Sequence, residues 1–215
     1  MITVYDATSD PWRANTGSTI NPVAPTSYKS YTVKGGVVVL NDSGPGAEMG
    51  GGLISADYPN PGPGYFGLDV DWWETNEDLP HVGRRENDLK VTFSGGKQAN
   101  GSCQWNATKK LWQLDPTGTA WVDTSFTNAP SVGSNTFQLR LQSDGSKWSV
   151  LGLSLNNQTF TPPTQFQNLP MISTNWSAGL HPQLQTECQN APWFLRSIYT
   201  RVWVMASANP IPWSV

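Results

Sequence analysis

Between residues 135 and 162 apolar and polar side chains alternate one by one: Phe137, Leu139 and Leu141 are interleaved with Gln138, Arg140 and Gln142. A period of two marks a strand with one buried face. Ser143-Asp144-Gly145-Ser146 and Asn156-Asn157 supply turns that divide the stretch into a three-strand meander. The same reading predicts strands over residues 65–73 and 88–93, a hairpin within 104–114, a short strand over 120–126 and a closing apolar strand over 198–205. Residues 28–40 surround Gly35-Gly36 with β-branched and aromatic residues, which predicts a strand pair about a turn or one bent strand.

Other stretches lack a period. Residues 1–30 read as an irregular lead-in with a short edge strand, 41–64 as a long loop broken by glycine and proline, and 168–192 as loop with a short element at most. The polar run ETNEDLPHVGRREN, between the strands at 65–73 and 88–93, reads as a bend. Proline, glycine and β-branched residues recur too often for a long amphipathic helix. The expected fold is all-β, a two-sheet antiparallel β-sandwich of jelly-roll type, with residues 1–215 as one domain.

Composition narrows the partners. A net charge of -3 with 13 Lys plus Arg gives no basic footprint for nucleic acid. No apolar run of about 18 residues predicts membrane insertion. Polarity comes mainly from Asn, Gln, Ser and Thr, which suits a neutral, hydroxyl-rich ligand, and 11 tryptophans exceed what one core needs. Trp112, Trp148 and Trp203 fall at strand spacing and read as core. Trp12, Trp176, Trp193 and Trp213 lie in irregular segments, where aromatic residues serve ligands or cover loops. Cys103 and Cys188 lack metal or redox spacing and read as either one long-range disulfide or two free thiols.

The strand ending in DVDWW, the hairpin NTFQLRLQSDGSKW, the strand–turn–strand LSLNNQTFTP and the closing RSIYTRVWVMAS together resemble the order of the concanavalin A-like lectin and glucanase jelly rolls over residues 65–205. That resemblance implies a polysaccharide or glycan partner and one of several roles: lectin, carbohydrate-binding module, glycoside hydrolase or polysaccharide lyase. The glucanase pattern ExDxxE is absent, and Asp69-Val70-Asp71 followed by Trp72-Trp73-Glu74 stands instead, which lowers the case for that enzyme type.

Alternation puts Leu68, Val70 and Trp72 in the core and Asp69, Asp71 and Trp73 on the opposite face. The leading expectation is therefore a lectin-like surface in which Asp69, Asp71, Trp73, Arg140 and Gln138 hold a sugar. As an enzyme, the chain would use Asp69, Asp71 or Glu48 as acid and base, or His181 and Tyr199 with Arg140 in a lyase. The plainer alternative is that Asp69 and Asp71 are solvent-facing acids paired with Arg140 or Arg84; a structural or adhesive surface domain is a third reading. No cofactor is expected, with calcium at Asp69, Asp71 or Asn41-Asp42 the one candidate, and nothing brings His81 and His181 together as a zinc pair. No leader peptide follows Met1, so the extracellular or cell-surface location that the glycan reading suggests requires a signal already removed, and an intracellular location stays open.

Overall fold

The computed structural model describes residues 1–8, 13–14, 29–34, 37–43, 53–54, 58–188 and 194–213, with side chains over 1–8, 58–186 and 198–213. The described strands are β1 (Ile2–Asp6), β2 (Arg13–Ala14), β3 (Lys29–Lys34), β4 (Val37–Ser43), β5 (Leu53–Ile54), β6 (Gly64–Glu74), β7 (Val82–Phe93), β8 (Lys97–Asn106) and β9 (Leu111–Asp115). They continue as β10 (Val122–Asp123), β11 (Gly133–Ser143), β12 (Lys147–Leu155), β13 (Gln158–Phe160), β14 (Leu169–Pro170), β15 (Ile172–Ser173), β16 (Gly179–Cys188) and β17 (Phe194–Ser207). The first sheet runs β13-β12-β11-β6-β17-β4-β3, with β1 also on β17; the second runs β10-β9-β8-β7-β16-β5-β2. All these pairings are antiparallel. The protein is thus a two-sheet β-sandwich of jelly-roll type, and among its described residues no helix is long and apolar enough to cross a membrane.

One face of each sheet builds the core. Phe66, Leu68, Val70 and Trp72 of β6 and Phe137, Leu139 and Leu141 of β11 meet Leu89, Val91, Trp105, Trp112, Leu114 and Leu180 of the second sheet. The Trp112 and Phe137 rings stack across the interface with centroids 4.9 Å apart. Gly101 holds the layers close, since a Cβ there would lie 2.5 Å from Leu141 Cδ1.

Two elements differ from the sequence expectation for one reason. β7 begins at Val82, so Gly83 to Asn87 belong to a strand and not to a bend. β16 occupies part of the region read as loop. Both carry polar residues where the alternation rule looks for apolar ones. In β7 the inward positions before Leu89 are Arg85 and Asn87, both fully buried. Arg85 bridges the sheets: it pairs with Glu74 of β6, whose carboxylate also accepts the Trp72 indole N–H at 2.8 Å, and donates to Thr186 Oγ1 and the Tyr199 hydroxyl at 3.1 Å each.

Cys103 is a free, buried thiol, so the long-range disulfide is not formed. Cys188 lies opposite Val82 of β7, whereas Cys103 of β8 falls between the levels of Glu86 and Leu89. Several residues of strand rise separate them, beyond the roughly 7 Å that a disulfide can bridge between Cα atoms.

Arg85→Met should cost about 3–5 kcal/mol in urea unfolding, because it leaves Glu74 charged in the core. The double replacement Glu74→Leu with Arg85→Met should recover most of that loss.

Candidate functional site

The outer face of the first sheet carries the residues singled out from the sequence. Asp69, Asp71 and Trp73 do share a face, with Leu68, Val70 and Trp72 buried on the other. Register sets Gln138 opposite Asp69, and Arg140 lies one step along the same face of β11. Asp69 is nevertheless buried, not solvent-facing: one oxygen accepts from Arg140 Nη1 at 2.6 Å and the other from Gln138 Nε2 at 2.9 Å. The chain's own tail covers this triad. Arg140 donates to the Pro212 carbonyl at 2.8 Å, Gln138 to that of Trp213, and the Trp213 ring lies 5.2 Å from the guanidinium. Gly152 makes room for it, since a Cβ there would meet the indole at 2.7 Å. Asp71 pairs with Arg201 at 2.8 Å, and Arg201 lies 4.7 Å above the Trp203 ring. Trp203 is therefore on this outer face and not in the core. Both aspartates face cations, and only Trp73, half exposed, stays open.

The outer face of the second sheet is different. β7 presents Arg84, Glu86, Asp88, Lys90 and Thr92 on this side, opposite the Leu89 and Val91 core face. Register places Gln185, Gln183 and His181 of β16 opposite Glu86, Asp88 and Lys90, and Gln104 and Asn100 of β8 opposite Glu86 and Lys90. Gln104 is 1% exposed, Asp88 0%, Gln183 5% and His181 1%. Buried polar groups are nearly always paired, yet Asp88 Oδ2, Gln104 Oε1 and Gln183 Nε2 have no hydrogen-bond partner.

Burial pushes the Glu86 carboxyl well above the usual range, and the negative charge of Asp88 adds to it. Asp88 is also raised by burial, while Lys90, with Nζ 3.7 Å from Asp88 Oδ2, and the Cys103 backbone N–H at 3.1 Å pull it back down. Both carboxyls are thus held above their ordinary range, and the hydrogen bond between them ties their titrations together, so the pair resists carrying two charges at once. The Lys90 ammonium sits 5.5 Å from the Trp176 ring, whose plane meets His181 edge-on at 5.0 Å. Trp176 thus supplies an aromatic border from an irregular segment, as Trp213 does on the other sheet.

His181, Tyr199 and Arg140 do not form a lyase set. Tyr199 is in the core against Arg85, Arg140 lies on the outer face of the first sheet and His181 on that of the second. His81 precedes β7 whereas His181 pairs near its far end, so no histidine pair forms; among the described residues no three His, Cys, Asp or Glu gather around one point. Glu48 and the side chains of Asn41 and Asp42 lie outside the described residues. Glu86, Asp88, Gln104 and Gln183 were not anticipated. The signal was present: Glu86-Asn87-Asp88 is the first half of ExDxxE, with Val91 where the second Glu would fall.

No family model and no curated protein matches the chain. Solved structures do match in fold. An alginate lyase in complex with an alginate tetrasaccharide aligns at TM-score 0.52 and 12% identity over 97% of this chain and 98% of that one. A prokaryotic β-1,3-1,4-glucanase from a mouse hindgut metagenome aligns at 0.54 and 10% identity over 97% and 100%. A pseudo β-1,3-glucanase of Mycobacterium tuberculosis aligns at 0.52 and 14% identity over 94% and 95%. The shared feature is the fold, a two-sheet antiparallel sandwich of jelly-roll type.

Trp213→Ala should uncover Asp69 and Arg140 and lower stability by about 1–2 kcal/mol in urea unfolding. It should leave the titration of Glu86 unchanged, since the two faces are separated by the core.

Proposed function

We propose that the protein cleaves glycosidic bonds in a polysaccharide bound across the outer face of the second sheet. The observation that carries this reading is the Glu86–Asp88 pair, two neighbouring carboxyls on one strand face that burial holds above the ordinary carboxyl range. Solved structures with this fold include carbohydrate-acting enzymes, which agrees with the reading.

Each residue has a role that follows from its position. Glu86 keeps its proton because burial and Asp88 disfavour its charged form, so it is the donor to the departing glycosidic oxygen. Asp88, steadied as a carboxylate by Lys90 and the Cys103 N–H, faces the positive charge that develops on the sugar ring. Gln104 and Gln183 flank the pair with unmet hydrogen-bonding groups suited to hydroxyls. Trp176 offers an apolar ring face to a pyranose at the border.

A binding-only protein is the second reading, and one observation favours it. Val91, a core residue, stands where the second Glu of ExDxxE would fall on this strand, so sugar recognition can persist without turnover. Reducing-end release from a polysaccharide panel separates the two, since a binder retains the polymer and releases nothing.

Glu86→Gln should lower turnover by roughly 10²–10⁴-fold while substrate still binds. Its stability effect has a defined sign. A carboxyl raised in the folded state contributes stability that is full below its unfolded pKa and is lost as pH rises through the folded value. The variant should therefore be more stable than the parent at neutral and alkaline pH, with the gain vanishing in acid, as thermal unfolding across pH will show. Loss of stability at neutral pH with turnover retained would contradict the assignment.

A further inference from the structure

We infer that the ligand of this face is an uncharged glycan carrying hydroxyl or acetamido groups, selected by the carbonyl oxygen of Gln104, whose direction is set by a hydrogen-bond relay from the sheet edge. The inference rests on the reading that the second sheet handles polysaccharide and names the class it takes.

The relay begins in solvent. Lys109 Nζ donates to both oxygens of Asp123, at 2.8 and 3.0 Å. Hydrogen bonds from Lys109 and then Gln113 hold the Asp123 carboxyl below its ordinary range, so it is ionised and can only accept. Gln113 must therefore turn its amide nitrogen toward Asp123, which it does at 2.5 Å. Its oxygen then points the other way and accepts from Gln104 Nε2 at 2.7 Å and Asn106 Nδ2 at 3.1 Å. An amide has one nitrogen and one oxygen, so Gln104, with its nitrogen committed to the relay, presents Oε1 as an acceptor that has no donor. Turning the amide over would set oxygen against oxygen at Gln113.

The neighbours have the same sense. Asp88 Oδ2 is an acceptor without a hydrogen bond, and Gln183 Nε2 across β7 is a donor without one. Hydroxyls donate and accept, and an acetamido N–H donates, so an uncharged sugar can satisfy all three. A uronate or sulfate ester only accepts, and would set its charge against the Gln104 carbonyl and the Asp88 carboxylate. Lys90 does not reverse this, because its ammonium is already 3.7 Å from Asp88 and over Trp176. Arg84, at the far end of the face opposite Asn106, has an interaction of its own.

The test uses the whole protein with two sets of probes: mixed-linkage β-glucan, xylan, mannan and chitin oligosaccharides, against alginate, polygalacturonate and heparin. Binding by calorimetry and product release are read for the parent and for two variants. The neutral set should be bound and the acidic set refused. Gln104→Ala should weaken neutral binding about five- to tenfold, the worth of one neutral hydrogen bond in a buried site. Asp123→Ala, exposed at the sheet edge, should raise KM for the neutral substrate severalfold while kcat and Tm stay at parent values, a split that general destabilisation would not give. Binding or cleavage of acidic polymers alone overturns the substrate class and leaves the proposed function standing. No binding in either set overturns both. Neutral binding that Asp123→Ala leaves unchanged overturns the relay.

Discussion

Two carboxyls two residues apart on one strand, in a face with little access to water, cannot both ionise without a large cost. Glu86 and Asp88 are in that position, and the rest of the site follows from how the cost is met. Desolvation raises both carboxyls, while Lys90, the hydrogen bond with Glu86 and the Cys103 backbone N–H favour the charged form of Asp88. The inner side of the same strand is equally constrained. Arg85 and Asn87 occupy core positions, and Arg85 is tolerated there because Glu74, Tyr199 and Thr186 surround it. The buried ion pair therefore fixes the segment whose opposite face carries the acid pair.

A β-sandwich confines chemistry to its two outer faces, since the inner faces must bury apolar surface to hold the layers together. Here the two outer faces use similar residues to opposite effect. On the first sheet Asp69, Gln138 and Arg140 satisfy one another, and Pro212 and Trp213 seal them. On the second sheet Asp88, Gln104 and Gln183 are as buried, yet each keeps an atom without a partner. Unmet hydrogen bonds in buried groups cost free energy, and a ligand that meets them recovers it. That contrast, and not the presence of acids or tryptophans, distinguishes the two faces.

Most of the fold was legible because its apolar alternation is clean. The meander of β11, β12 and β13 and the split of β6 into core and outer residues follow the period of two. The site was not legible for a connected reason. GRREND has polar residues on both faces, so it reads as a bend when only apolar periodicity is counted. HPQLQTEC is obscured in the same way by Pro182 and its glutamines, although Leu180 and Leu184 do mark its inner face. DVDWW drew attention because its inner positions are apolar and its acids stand out against them. Its acids turned out to be neutralised by arginines distant in sequence, which no local pattern could show. Trp176 and Trp213 were recognised as a kind, aromatic residues in irregular segments, but their partners are set by tertiary packing.

The central claim is that Glu86 retains its proton into the range where ordinary carboxyls have lost theirs. A carbon-13 NMR titration of the side-chain carboxyls, with Glu86 assigned by its loss in Glu86→Gln, measures this directly. The account predicts that the Glu86 resonance titrates well above the glutamate range and moves down when Asp88→Asn removes the neighbouring charge. Titration of Glu86 at the ordinary glutamate value, unaffected by Asp88→Asn, would contradict it.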